Sequence, residues 1–166
     1  IYFIKRNRKM TITNIENEKN KNIFGIPRFP LILGAMGLIP FWGCTIYSLL
    51  GPLETSNLTQ TFVLFYGAII LSFLGGVHWG CAISRSKQST HYKKHLIFSV
   101  IPSLLGWPAL MLPQDIGIAI LMIGFVLTLL IDIFFSEISS IPKWYPKLRK
   151  PLSVSVIVCL IIATLT

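Results

Sequence analysis

The sequence predicts an all-α integral membrane bundle of about five transmembrane helices, N-terminus inside and C-terminus outside. Three observations predict it. Hydrophobic residues make up 53% of the chain and charged residues only 13%. Five apolar runs approach the roughly 20 residues that a helix needs to cross ~30 Å of hydrocarbon. All fifteen Lys and Arg residues fall in three blocks outside those runs. A chain of 166 residues is one domain by length, and this composition lies outside the soluble balance. The net charge of +9 raises the question of nucleic acid. A nucleic-acid binder needs its basic residues on one exposed face with a soluble core behind them, so no nucleic-acid partner is expected, and the lipid bilayer is.

Residues 1–29 are expected to be a flexible, basic N-terminal tail, with 1–9 preceding Met10 and not belonging to the native chain. The segment TITNIENEKNKN is polar and Asn-rich, a composition that buries too little apolar area to order itself. No secretory signal is legible there, so the first membrane helix is expected to direct insertion. The membrane domain then occupies 30–166, with spans at 30–50, 61–83, 96–112, 116–135 and 151–166.

The basic blocks decide the orientation. They comprise Lys5, Arg6, Arg8, Lys9, Lys19, Lys21 and Arg28, then Arg85, Lys87, Lys93 and Lys94, then Lys143, Lys147, Arg149 and Lys150. The alternate connections, GPLETSNLTQ and PQD, carry only Glu54 and Asp115. This alternation is the positive-inside pattern of an odd number of spans. Trp144 and Tyr145, between Pro142 and Pro146, read as interface anchors at the same boundary. The loop SRSKQSTHYKKH would attract anionic headgroups, which topology alone also demands.

Within the spans, small residues and polar residues carry the information. Pro40 in the first span and Pro102 and Pro108 in the third each remove a backbone donor and read as packing kinks. In the second span Ala68, Ser72, Gly76 and Gly80 recur at steps of four, a stripe that lets a neighbouring helix approach closely. His78 points nearly opposite that stripe, on a face with Leu71, Leu74 and Gly75, so two different faces of this helix are expected to be occupied by partners.

The fourth span carries Thr128, Asp132 and Ser136 at steps of four, a polar stripe on an apolar cylinder. An acidic group deep in a span costs about 2.5–3.5 kcal/mol and normally faces protein or water. Helical rise places His78 ~9 Å and Asp132 ~10 Å inward of their midpoints, so the two match in depth and form a candidate polar intramembrane site. One reading is a structural clamp between helices; the other is a proton relay or polar substrate site, since a carboxylate beside an imidazole tunes its titration.

Cys44, Cys81 and Cys159 stand far apart in apolar segments, so no metal site is expected. Trp79 and Trp107 read as core or interface aromatics rather than as a seat for a flat ligand, and no cofactor is expected. No nucleophile, metal cluster or phosphate loop favours an enzyme.

The run YGAIILSFLGGVHWG, the IPSLLGW segment, Asp132 and WYPKLRKPL together resemble the DUF3429 family. The similarity spans residues 27–166, with GGVHWG its sharpest part and departures confined to the tail and loop lengths. The resemblance implies a small multi-pass protein of bacterial inner membranes or, in eukaryotic relatives, of mitochondria, with no established activity. It singles out Gly75, Gly76, His78, Trp79, Gly80, Asp132, Trp144 and Arg149 as motif positions. The resulting expectation is an inner-membrane protein, bacterial rather than mitochondrial. Its role is a structural or assembly subunit with membrane-protein partners, or alternatively a small proton-coupled carrier.

Overall fold

The computed structural model describes residues 22–23, 25–52, 56–84, 92–137 and 141–165. The expected tail before residue 22 lies outside them. Five helices account for nearly all of what is described: α1 (Arg28–Leu50), α2 (Ser56–Ile83), α3 (Tyr92–Ala109), α4 (Gln114–Glu137) and α5 (Trp144–Leu165). A short antiparallel pair, β1 (Asn22–Ile23) and β2 (Ile26–Pro27), precedes α1 and turns at Gly25, whose φ of 74° suits a residue without a Cβ.

Helix ends follow proline and backbone chemistry. Pro27 stands at the N-cap of α1, and the Gly51 N–H donates to the Tyr47 carbonyl at 2.8 Å before Pro52 stops the helix. α3 ends in tightened turns, with Leu110 N–H on Trp107 O at 3.1 Å and Met111 N–H on Pro108 O at 3.0 Å. Pro113 then leads into α4, where Asp115 lies in the first turn and favours the helix dipole. α5 begins at Trp144 rather than at 151, so the stretch WYPKLRK is helix and Pro151 lies inside it.

Four helices, all but α3, are long and apolar enough to cross a membrane. α3 has 18 residues and opens with Tyr92, Lys93, Lys94 and His95, which lowers its hydropathy. It still runs alongside α2 for most of its length. Ser99 and Pro102 meet Gly75, and Gly106 meets Ala68, an antiparallel register. α2 and α4 run parallel, with Gly67 against Leu121 and Leu71 against Gly124. α1 and α5 also run parallel: Gly34 meets Leu152, and the Trp42 indole donates to Ser155 Oγ at 2.8 Å. Thus α1, α3 and α5 point one way and α2 and α4 the other.

α2 is the central helix and touches all four others. Its packed face is Leu64, Ala68, Leu71, Gly75, His78 and Ala82, alternating steps of four and three as a 3.6-residue helix requires. Of the expected small-residue stripe, Ala68 alone belongs to that face. Ala68 is buried, but a Cβ on Gly76 or Gly80 would meet nothing within 4 Å, and Ser72 is half-buried. The glycine that admits a neighbour is Gly75, where a Cβ would collide with the Ser99 carbonyl oxygen and crowd Pro102 Cγ at 3.3 Å. The core between the helices is built on Phe41, Leu71, Ile118, Leu121, Phe125 and Leu160.

Candidate functional site

Helix geometry brings four polar side chains to one level. His78 lies five residues before the end of α2, Asp132 five before the end of α4, and Arg149 five after the start of α5. At 1.5 Å per residue each stands ~7.5 Å inside the same end of the bundle. His95, three residues into α3, joins them from the fourth helix. All four side chains are buried, with Asp132 only 1% and Arg149 5% exposed.

Asp132 is the hub. His78 Nε2 donates to its Oδ1 at 3.0 Å, and Arg149 Nε donates to its Oδ2 at 3.0 Å. The carboxylate charge is therefore balanced by the guanidinium, and the imidazole occupies the remaining oxygen. Because Nε2 carries the hydrogen given to the carboxylate, a neutral His78 presents Nδ1 as an acceptor. His95 Nδ1 lies 3.1 Å from it and is the donor in that arrangement. The chain of contacts therefore runs His95, His78, Asp132, Arg149 across α3, α2, α4 and α5.

Aromatic packing holds the imidazoles in place. The Phe135 ring stacks on His95 with centroids 3.9 Å apart and stands 5.2 Å from His78. Phe135 is fully buried and lies three residues after Asp132, so one turn of α4 supplies both the charge and the apolar wall. Gly75, one turn before His78, lets α3 come close enough for His95 to reach it.

The other sequence candidates are distributed differently. The Thr128 hydroxyl donates to its own helix, to the Gly124 and Phe125 carbonyls at 3.0 Å each. Ser136 is half-buried and has no bond to the cluster. Among the stripe expected on α4, Asp132 alone enters the site. Trp79 is 48% exposed and points away from it. Trp144 packs edge-to-face on Tyr145 at the first turn of α5. Among the described residues no group of three or more His, Cys, Asp or Glu is placed to hold a metal ion.

His95 is not among the residues singled out in the sequence, and Arg149 is singled out only as a motif position of the resemblance. Arg149 was grouped with the basic residues of an inner connection, and His95 closes the KKH run of another. The signal for Arg149 was the unpaired acid itself: Asp132 needed a cation, and one within a helical turn of a span end could supply it.

The family model for DUF3429, described as a protein of unknown function, matches residues 26–165. This chain belongs to the DUF3429 family. It is 32% identical over 139 residues to transmembrane protein 69 of Xenopus tropicalis, covering 81% of this chain and 53% of that relative. It is 30% identical over 125 residues to transmembrane protein 69 of Mus musculus, covering 74% of this chain and 50% of that one. The chain thus spans about half the length of the curated relatives it matches. No solved structure matches. As a DUF3429 member with several apolar helices, the chain is a multi-pass membrane protein.

Proposed function

We propose that this chain is a structural or assembly subunit of a larger membrane complex, set in an inner membrane with its basic end inside. The observation that carries this reading is the state of Asp132, whose two oxygens are taken by His78 and Arg149 within the fold. A buried carboxylate held at both oxygens by side chains of neighbouring helices fixes helix register. It ties four of the five helices at one level.

The orientation rests on charge. Arg28, Lys93, Lys94, Lys143, Lys147 and Lys150 are exposed at the cluster end, while Asp115 is the charged residue described at the other. The proposed compartment is an energy-transducing inner membrane, bacterial in preference to mitochondrial.

Mild-detergent purification from the native membrane, followed by native mass measurement, tests the role. A stoichiometric partner is expected. A clean monomer or homo-oligomer would overturn the subunit reading and favour a proton-coupled carrier. The 3.1 Å contact between His78 and His95 supports that second reading, because it extends the carboxylate into a chain of two imidazoles. A carrier requires that Asp132→Asn abolish pH-driven flux in proteoliposomes while the bundle stays monodisperse; loss of folding instead favours the clamp.

A further inference from the structure

Arg149 and Ser153 lie one turn apart on the buried face of α5, Ser153 being fully enclosed. Arg149 Nη2 and Ser153 Oγ have no hydrogen-bond partner among the described residues. The guanidinium bonds Asp132 Oδ2 through its Nε, while His78 bonds Oδ1. A side-on fork is thereby left half used. An enclosed N–H without an acceptor is unfavourable enough that native proteins nearly always supply one, often a water. One turn before Arg149 stands Tyr145, half-buried at the basic end and within electrostatic reach of both Asp132 and Arg149. Tyr145, Arg149 and Ser153 therefore form a polar stripe at steps of four that runs inward from the basic surface. Ser153 is nine residues past Trp144, or ~13 Å along the helix.

We propose that this stripe is a water entry, and that one internal water is held between Arg149 Nη2 and Ser153 Oγ. The water accepts from the guanidinium and donates to the hydroxyl. Charge selects water over an anion. Arg149 is already balanced by Asp132, so an anion would add an uncompensated negative charge inside the bilayer and a water adds none. The stripe gives the polar cluster a hydrated end facing the basic surface, a property that a scaffold and a carrier would share.

A water-resolving crystal structure grown in bromide tests the bound molecule. Density within hydrogen-bonding distance of both atoms, without anomalous signal, is expected. A bromide signal there, or Nη2 turned onto Asp132 with no density between it and Ser153, overturns the proposal. The entry is tested with silver ion on the full chain in vesicles, its three free cysteines replaced by alanine. Ser153→Cys should be shielded from later alkylation under denaturing conditions when silver is added at the basic side. Val156→Cys, also at a buried position of α5, should not be. Equal behaviour at the two positions overturns the entry route.

Discussion

Asp132 shows how depth can be read from residue counts while partners cannot. Its match with His78 follows from helical rise alone, and the two meet at 3.0 Å. Residue counts do not show the inward turn of Arg149, because Lys147, Arg149 and Lys150 read as one basic run, and the family resemblance alone singles it out. On a helix they separate by 100° per residue, which turns Arg149 inward and leaves Lys147 and Lys150 exposed. Removing one member of a buried ion pair strands the other, so Arg149→Met should destabilise the detergent-solubilised bundle by about 3–5 kcal/mol. The double variant Asp132→Leu, Arg149→Met should recover most of that loss; additive losses in thermal unfolding would refute the pairing. The His78–Asp132 contact should show a coupling of about 0.5–3 kcal/mol in a double-mutant cycle, and a value indistinguishable from zero would remove it from the cluster.

Among the elements, α2 carries two faces that the sequence marks for partners, and packing within the chain uses the one that holds Leu71, Leu74, Gly75 and His78. Gly76 and Gly80 stand at steps of four with Ser72 and Ala68, yet both glycines meet open space, and Gly75 carries the close approach. Small residues at regular spacing permit packing; a neighbour must still arrive, and α3 arrives at Gly75, with Ser99 and Pro102 against it. Gly75→Ala should therefore cost about 1–3 kcal/mol through overpacking, since the obstructing atom is a backbone carbonyl that cannot swing aside. Gly76→Ala should stay within about 0.5 kcal/mol. Parallel thermal-unfolding curves in one detergent check the contrast, and equal effects would invalidate the assignment of faces. α5 extends beyond the expected span, starting at Trp144. Prolines 142, 146 and 151 and the basic run suggest a loop, but a proline in the first turn has no hydrogen bond to lose, and Pro151 is tolerated as an interior kink.

For the whole molecule, the topology argument rests on charge and on helix direction together. A cysteine at Asn57 is expected to react with an impermeant reagent only from outside, and one at Lys143 only from inside, in intact and opened vesicles with the native cysteines removed. Reversal of either would overturn the orientation. The parallel run of α1 and α5, read from Gly34 on Leu152 and Trp42 on Ser155, agrees with an odd number of passes. By itself the sequence determined the membrane class, the helix number, the basic end and the depth of His78 and Asp132, because hydrophobicity, charge and helical rise are properties of residues taken along the chain. Only the tertiary structure decided which face of α2 is packed, that Arg149 and His95 turn inward, and that Asp132 is the hub of four helices. Those outcomes depend on lateral distances between helices, which arise when side chains far apart in sequence compete for the same enclosed space.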